Sequence, residues 1–253
     1  MMSPNGRIAA VTGAGTGIGK SAVIKLLGAG YSVALAGRRM QPLLETIEES
    51  GADDSTAIAV STDVSKPDSI YSFFHQVKER FGRLDVLFNN AGIGAPRVEF
   101  EELSLDDWQK VVDTNLTGSF LCAQQAVKIM KSQSPMGGRI INNGSISAYA
   151  PRPDSVAYTS TKHAISGLTK QISLDGRKYN IACSQVDVGN AATPMTMRMQ
   201  NGVPQANGEI MVEPTFDVDH VGQTILQIAD YPLETNVQNV TIMATKMPFV
   251  GRG

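Results

Sequence analysis

Thr12-Gly13-Ala14-Gly15-Thr16-Gly17-Ile18-Gly19 follows a short apolar run, residues 7–12, and leads straight into an amphipathic stretch, residues 17–28. Glycines at 13, 17 and 19 suit a strand-to-helix turn whose backbone approaches a pyrophosphate closely. The free N–H groups at the start of the next helix then face the phosphates. Glycine-rich connections are common, so position carries the signal: first strand before, first helix after. The residues expected against a dinucleotide here are Gly13, Thr16, Gly17, Ile18 and Gly19.

Outward from that turn, short apolar runs alternate with longer amphipathic ones. The apolar runs are 7–12, 32–37, 56–61, 84–89, 138–144, 181–187 and 237–243. They are continuous rather than alternating in polarity, as in strands covered on both faces. Helical stretches fall at 17–28, 42–50, 67–81, 105–131, 155–178 and 218–229. The pattern predicts an α/β fold: a Rossmann-type doubly wound parallel sheet of about seven strands, with helices on both faces. No repeat or linker divides the chain, so residues 1–253 read as one dinucleotide-binding and catalytic unit. The stretch 189–214, rich in Met, Asn, Pro and Gly, has no clear period and is expected to form a substrate lid.

Composition narrows the function. Of 253 residues, 42% are hydrophobic and 18% charged, which gives enough apolar material for a large core. Lys and Arg number 22 against 24 acidic residues, a net charge of −2 that argues against nucleic acid or an anionic membrane as partner. No apolar run approaches the ~18 residues of a membrane span. Cys122 and Cys183 have no paired spacing, and His75, His163 and His220 are isolated, so neither a disulfide framework nor a metal site is expected. With no signal-like segment behind Met1, a cytoplasmic location is expected.

The second strand ends in Gly37-Arg38-Arg39. An acidic residue there would bind the ribose 2′-hydroxyl of NAD, whereas arginine accommodates the 2′-phosphate of NADP. The expectation is NADPH, with NAD not excluded.

Tyr158 and Lys162 lie four residues apart in a helical stretch, which places both on one face. A free phenol ionises near about pH 10, and a neighbouring ammonium favours the phenolate, so the pair suits proton exchange with a substrate oxygen. Of the six tyrosines, Tyr158 alone has lysine at the fourth position onward.

Together these features resemble the short-chain dehydrogenase/reductase family, in its single-domain branch, over nearly the whole chain. The family's glycine turn is similar to Thr12–Gly19, and its acidic residue after the third strand resembles Asp63, followed by Val64. The motif after the fourth strand is similar to Asn89-Asn90-Ala91-Gly92. The catalytic asparagine resembles Asn115, and the serine thirteen residues before the tyrosine is Ser145. The resemblance implies a mechanism. Ser145 hydrogen-bonds the substrate carbonyl and Tyr158 gives up its proton as hydride arrives from the nicotinamide. Lys162 binds the nicotinamide ribose and lowers the tyrosine pKa, and Asn115 holds a relay water. It also places Asp63, Val64, Asn90, Ala91, Gly92, Gly189 and Thr193 against the cofactor, and implies a homodimer or homotetramer through the long helices 105–131 and 155–178. One departure stands out: Val188 occupies the place of a usual proline before Gly189.

Other residues leave alternatives open. Ser147 lies two positions past Ser145, so on extended backbone both hydroxyls share a side. Tyr149, Pro151, Arg152 and Pro153 fall where a pocket wall is expected; Arg152 either attracts an anion or is simply exposed. Met195, Met197 and Met199 alternate along the lid and either face varied substrates or pack locally. His163 points away from the Lys162 face, and Trp108 is expected to anchor its helix in the core. The tail after Met243 covers its own pocket or a neighbour. The favoured function is interconversion of a carbonyl and an alcohol on a small molecule. The alternative is a sensor or scaffold that binds NADP(H) and has lost turnover.

Overall fold

The computed structural model describes residues 6–250. Seven strands form one parallel sheet: β1 (Ile8–Thr12), β2 (Ser32–Gly37), β3 (Ala57–Ser61), β4 (Val86–Asn89), β5 (Gly138–Asn143), β6 (Ile181–Gly189) and, last in the chain, β9 (Asn239–Met243). Their spatial order is β3-β2-β1-β4-β5-β6-β9. Register runs Ala10 beside Ala34 and Leu87, and Ile141 beside Phe88 and Ser184. The chain winds outward in both directions from β1, so a crevice opens at the carboxyl ends of β1 and β4, where ligands bind in such sheets.

The five inner strands are buried on both faces, which is why they read as unbroken apolar runs, while the edge strands β3 and β9 are partly exposed. Side chains alternate along β1. Ile8 and Ala10 join Ile70, Phe73, Phe74 and Ala126 on one face, while Ala9 and Val11 join Val23, Leu26, Val221 and Ile225 on the other. The first face is covered by α3 (Pro67–Phe81) and α5 (Gly118–Ser132). The second is covered by α1 (Gly17–Gly28), α2 (Met40–Ser50) and α7 (Asp219–Asp230). Each fully buried Leu or Phe contributes about 1.5–3 kcal/mol. Helix ends follow local chemistry: Pro67 opens α3, and Gly51 and Gly82 close α2 and α3 at φ of 70° and 74°.

Two expected elements differ. The helix expected at 105–131 is α4 (Leu105–Val112), a π-helical turn Asp113–Thr117, then α5. That wide turn carries the buried Asn115. The stretch 189–214 is also not structureless. Within it lie a 3-10 turn, Met197–Asn201, and a hairpin of β7 (Val203–Pro204) with β8 (Ile210–Met211). The tail turns back onto its own chain, where Ala244 and Met247 pack on Ile146. Trp108 is half-buried on α4, outside both main clusters.

Candidate active site

Helix α1 begins with its amides open. Thr16 makes no side-chain capping bond, and the first turn has no acidic residue. The turn before it is held by a polar clamp. Asn90 donates from Nδ2 to the carbonyls of Thr12 (2.9 Å) and Gly13 (3.2 Å), and the Thr12 hydroxyl accepts the Asn90 and Ala91 amides. Asn143 in turn donates to Asn90 Oδ1. Gly13 and Gly17 have φ of 64° and 54°, which glycine tolerates best. A Cβ on Gly19 would stand 2.1 Å from the Gly13 carbonyl oxygen. A cradle with open amides and no room for side chains fits a pyrophosphate.

That cradle forms one end of a continuous cleft. Its lining includes Gly13, Thr16, Gly17, Ile18, Arg38, Arg39, Asp63, Val64, Asn90, Ala91, Gly92, Thr193, Tyr158 and Lys162. The structure thus brings together most of the residues picked from sequence. Four of them stand behind the lining instead: Gly19, Asn115, Ser145 and Gly189. Gly19 and Gly189 act by lacking a side chain; a Cβ on Gly189 would come within 2.8 Å of Met243 Cβ and of Met247 Sδ. Sequence reading missed Thr62, Ile93, Thr114 and Asn190, which also line the cleft, as does Met195, one of the three methionines for which both a substrate-facing and a local-packing role were open. Asp63 is its one carboxylate. Burial pushes Asp63 upward, but hydrogen bonds from Ser65 and the Arg38 charge outweigh this and hold it below the ordinary value.

At the other end, α6 (Val156–Gly176) presents Tyr158 and Lys162. Lys162 is buried; its ammonium sits 5.6 Å from the Tyr158 ring centroid and donates to the Asn143 carbonyl at 2.7 Å. The Asn115 amide is taken up by Ile93: its Oδ1 accepts the Ile93 N–H at 2.8 Å and its Nδ2 donates to the Ile93 carbonyl at 2.9 Å. A longer bond from Nδ2 to Thr161 ties the π turn to α6. π turns of this kind recur at functional sites. Ser145 and Ser147 do not share one extended run. The backbone bends into a 3-10 turn, Ile146–Ala148, and Ser145 Oγ accepts the Ser147 amide at 3.1 Å. That bond leaves the Ser145 hydroxyl free to donate.

Arg152 is neither exposed nor open to an anion. Its guanidinium grips Glu213 from both NH groups, at 2.6 and 2.5 Å, and Glu213 also accepts from Asn190 and Gln205. The loop after β5 and the stretch 189–214 are joined through that pair, 61 residues apart. Burial alone would raise the Glu213 carboxyl, but bonds from Arg152, Asn190 and Gln205 bring it down to about 2. A depressed carboxyl stabilises the fold above its ordinary pKa and loses that contribution as pH falls toward the folded value. Protection of the Gln205 and Met211 amides, their exchange relative to the free peptide at the same pH, is therefore expected to be high at neutral pH and to fall between about pH 4.5 and 2. Glu213→Gln should lower that protection at neutral pH, at a cost of about 3 kcal/mol in the local stability of residues 189–214, and should approach the native chain near about pH 2. Equal exchange in the variant and the native chain at neutral pH would dissolve the latch.

Within 189–214, Met199 is buried, while Met195 and Met197 are exposed and only Met195 of the three lines the cleft. His163 is exposed and its Nδ1 lies 2.9 Å from the Thr159 carbonyl. Tyr149 leans on Phe249 of the tail and donates to Asp187. Burial first, then that bond, raises its pKa. Among the described residues no helix is long and apolar enough to cross a membrane, and no group of three or more His, Cys, Asp or Glu side chains could hold a metal ion.

Fold and cleft together define a dinucleotide-binding α/β protein, and comparison with known proteins states which one. The family model for short chain dehydrogenases matches residues 7–203, and the chain belongs to that family. A 3beta-hydroxysteroid dehydrogenase of Mediterraneibacter gnavus is 35% identical over 210 residues, covering 82% of this chain and 74% of that protein. The crystal structure of an acetoin dehydrogenase from Enterobacter cloacae superposes with a TM-score of 0.80 at 30% identity, over 94% of each chain. An actinorhodin polyketide ketoreductase variant crystallised with NADPH gives a TM-score of 0.84 at 26% identity, over 96% of this chain and 98% of that one.

Proposed function

We propose that this chain is an NADPH-linked oxidoreductase that interconverts a ketone or aldehyde and an alcohol, with Tyr158 as the acid/base. The observation that carries the reading is one cleft with an uncapped helix start at one end and the Tyr158–Lys162 pair at the other. The relatives' named activities, on hydroxysteroids and acetoin, belong to the same reaction class.

The bound nicotinamide supplies or accepts the hydride. Everything else falls to the chain. Gly13, Gly17 and the open amides of α1 hold the pyrophosphate, Asp63 and Val64 the adenine end, and Asn90, Ala91, Gly92, Gly189 and Thr193 the remainder. Lys162, anchored on the Asn143 carbonyl, holds the nicotinamide ribose and keeps positive charge beside the phenol. Ser145 donates its free O–H to the substrate oxygen, and Tyr158 moves the proton to or from that oxygen. With its amide side chain engaged by Ile93, Asn115 serves the relay by shaping the π turn. Residues 1–253 act as one catalytic unit, cytoplasmic in our reading, with 189–214 as its lid. Exposed Leu105 on α4 and Phe120 on α5 favour pairing of copies through those helices, as homodimer or homotetramer.

The NADPH preference rests on Arg38 and Arg39, which line the cleft beyond β2 where no carboxylate but Asp63 stands. Replacing both by alanine is expected to lower kcat/KM for NADPH about 100-fold and to change NADH turnover only a few-fold, since charge-assisted phosphate contacts are lost. Equal losses with both cofactors would assign the arginines to the fold. The reading as a whole is tested by absorbance of the reduced nicotinamide. A steroid ketone, acetoin and a simple cyclic ketone are offered with NADPH and NADH side by side. Cofactor binding without turnover across that panel would overturn it.

A further inference from the structure

We propose that Asp187, at the carboxyl end of β6, is a positioning residue that sets the Ser145 hydroxyl for the substrate oxygen. The proposal rests on the roles given above to Ser145 and Tyr158. Asp187 is fully buried, and its carboxylate accepts four hydrogen bonds. Oδ1 accepts the Ser145 amide and Gln185 Nε2, both at 2.8 Å. Oδ2 accepts the Tyr149 hydroxyl at 2.7 Å and Asn239 Nδ2 at 2.8 Å. None of these four donors is a cation, although buried carboxylates are ordinarily paired with one. What the four donors share is place. Ser145 and Tyr149 flank the 3-10 turn Ile146–Ala148, and Asn239 opens β9 on the far side of β6. One carboxylate therefore pins both ends of the turn that carries Ser145 to the edge of the sheet.

The seat is tight. A Cβ on Gly144 would stand 2.0 Å from Asp187 Oδ1, so the carboxylate lies directly beneath the loop backbone. The pinned amide belongs to Ser145 itself, so any drift of Asp187 moves the hydroxyl that our reading gives to the substrate oxygen. A displacement of about 1 Å at such a group costs about 100-fold in rate.

Asp187→Ala is expected to lower kcat about 10- to 100-fold, with NADPH affinity by fluorescence titration changed less than about two-fold. Asp187→Asn keeps an oxygen for the Ser145 amide and should recover to within about five-fold of the native rate. The discriminating arm is a double-mutant cycle with Ser145→Ala, using the best ketone of the panel. Because Asp187 acts through Ser145, D187A in the S145A background should cost less than about two-fold. An equal loss in both backgrounds, or no loss in either, overturns the proposal. If D187A fails to bind NADPH, the same cycle is run with D187N, whose smaller loss should likewise vanish beside S145A. Full activity in Tyr158→Phe would instead overturn the reading of the site, so the two failures stay distinct.

Discussion

Tyr158→Phe should reduce turnover about 1000-fold while leaving the affinity for NADPH within about three-fold. The size follows from what a positioned acid/base contributes, roughly 100- to 10,000-fold. Selectivity follows from the geometry. Phenylalanine keeps the ring beside which the Lys162 ammonium sits, and Lys162 holds its place by donating to the Asn143 carbonyl, which the substitution does not touch. Ala157, the neighbour of Tyr158 on α6, is buried, so the helix is fixed independently of the phenol oxygen. Steady-state rates with the best panel ketone and a fluorescence titration with NADPH make the comparison. Activity near the native level would remove Tyr158 from the chemistry; loss of cofactor binding would make it a structural residue.

Gly19→Ala is expected to act at the opposite end of the cleft with a comparable effect. The added methyl would lie 2.1 Å from the Gly13 carbonyl oxygen and 2.7 Å from Asn90 Nδ2. Neither neighbour can yield cheaply, because the first is backbone and the second is held by the carbonyls of Thr12 and Gly13. Either α1 moves away from the turn or the turn opens, and both displace the amides that face the pyrophosphate. We expect NADPH affinity to fall at least about 100-fold and stability to drop by about 1–3 kcal/mol, the usual cost of overpacking. Gly28 on the same helix is the control, because a Cβ there meets nothing within 4 Å. Gly28→Ala should be neutral or stabilising by up to about 1 kcal/mol. Titration and thermal unfolding of the two variants decide whether the close approach at Gly19 is what the turn requires.

Much of this molecule is legible before any coordinates. The seven apolar runs become strands within one or two residues; the inner five are buried on both faces, so no alternation blurs their ends, whereas the edge strands β3 and β9 are partly exposed. Helices α1 and α3 match their expected limits, and glycine closes α3 where the pattern stops. The π turn at Asp113–Thr117 could not be read, because apolar spacing runs through it as through an ordinary helix. It takes the docking of Asn115 on Ile93 to make the wider turn visible. The β7–β8 hairpin was hidden for another reason: its strands are two residues each, and Ile210 and Met211 are exposed, so they are too short and too open to leave a period. Pairs distant in sequence were the hardest. Arg152 looks like a surface cation until Glu213 is placed against it, and Asp187 looks like a strand end until four donors converge on it. Residues that line the cleft, such as Gly13, Arg38, Asp63 and Asn90, were legible because they follow strand ends in order. The groups that brace them were not, because a brace is defined by what it touches.

The most direct test is a crystal structure of the chain with the oxidised cofactor and an alcohol from the panel. The account predicts the ligand oxygen within about 3 Å of both the Tyr158 hydroxyl and Ser145 Oγ, with its carbinol carbon facing the nicotinamide ring. A ligand seated with its oxygen away from Tyr158, or a nicotinamide ring outside the Tyr158–Lys162 end of the cleft, would contradict it.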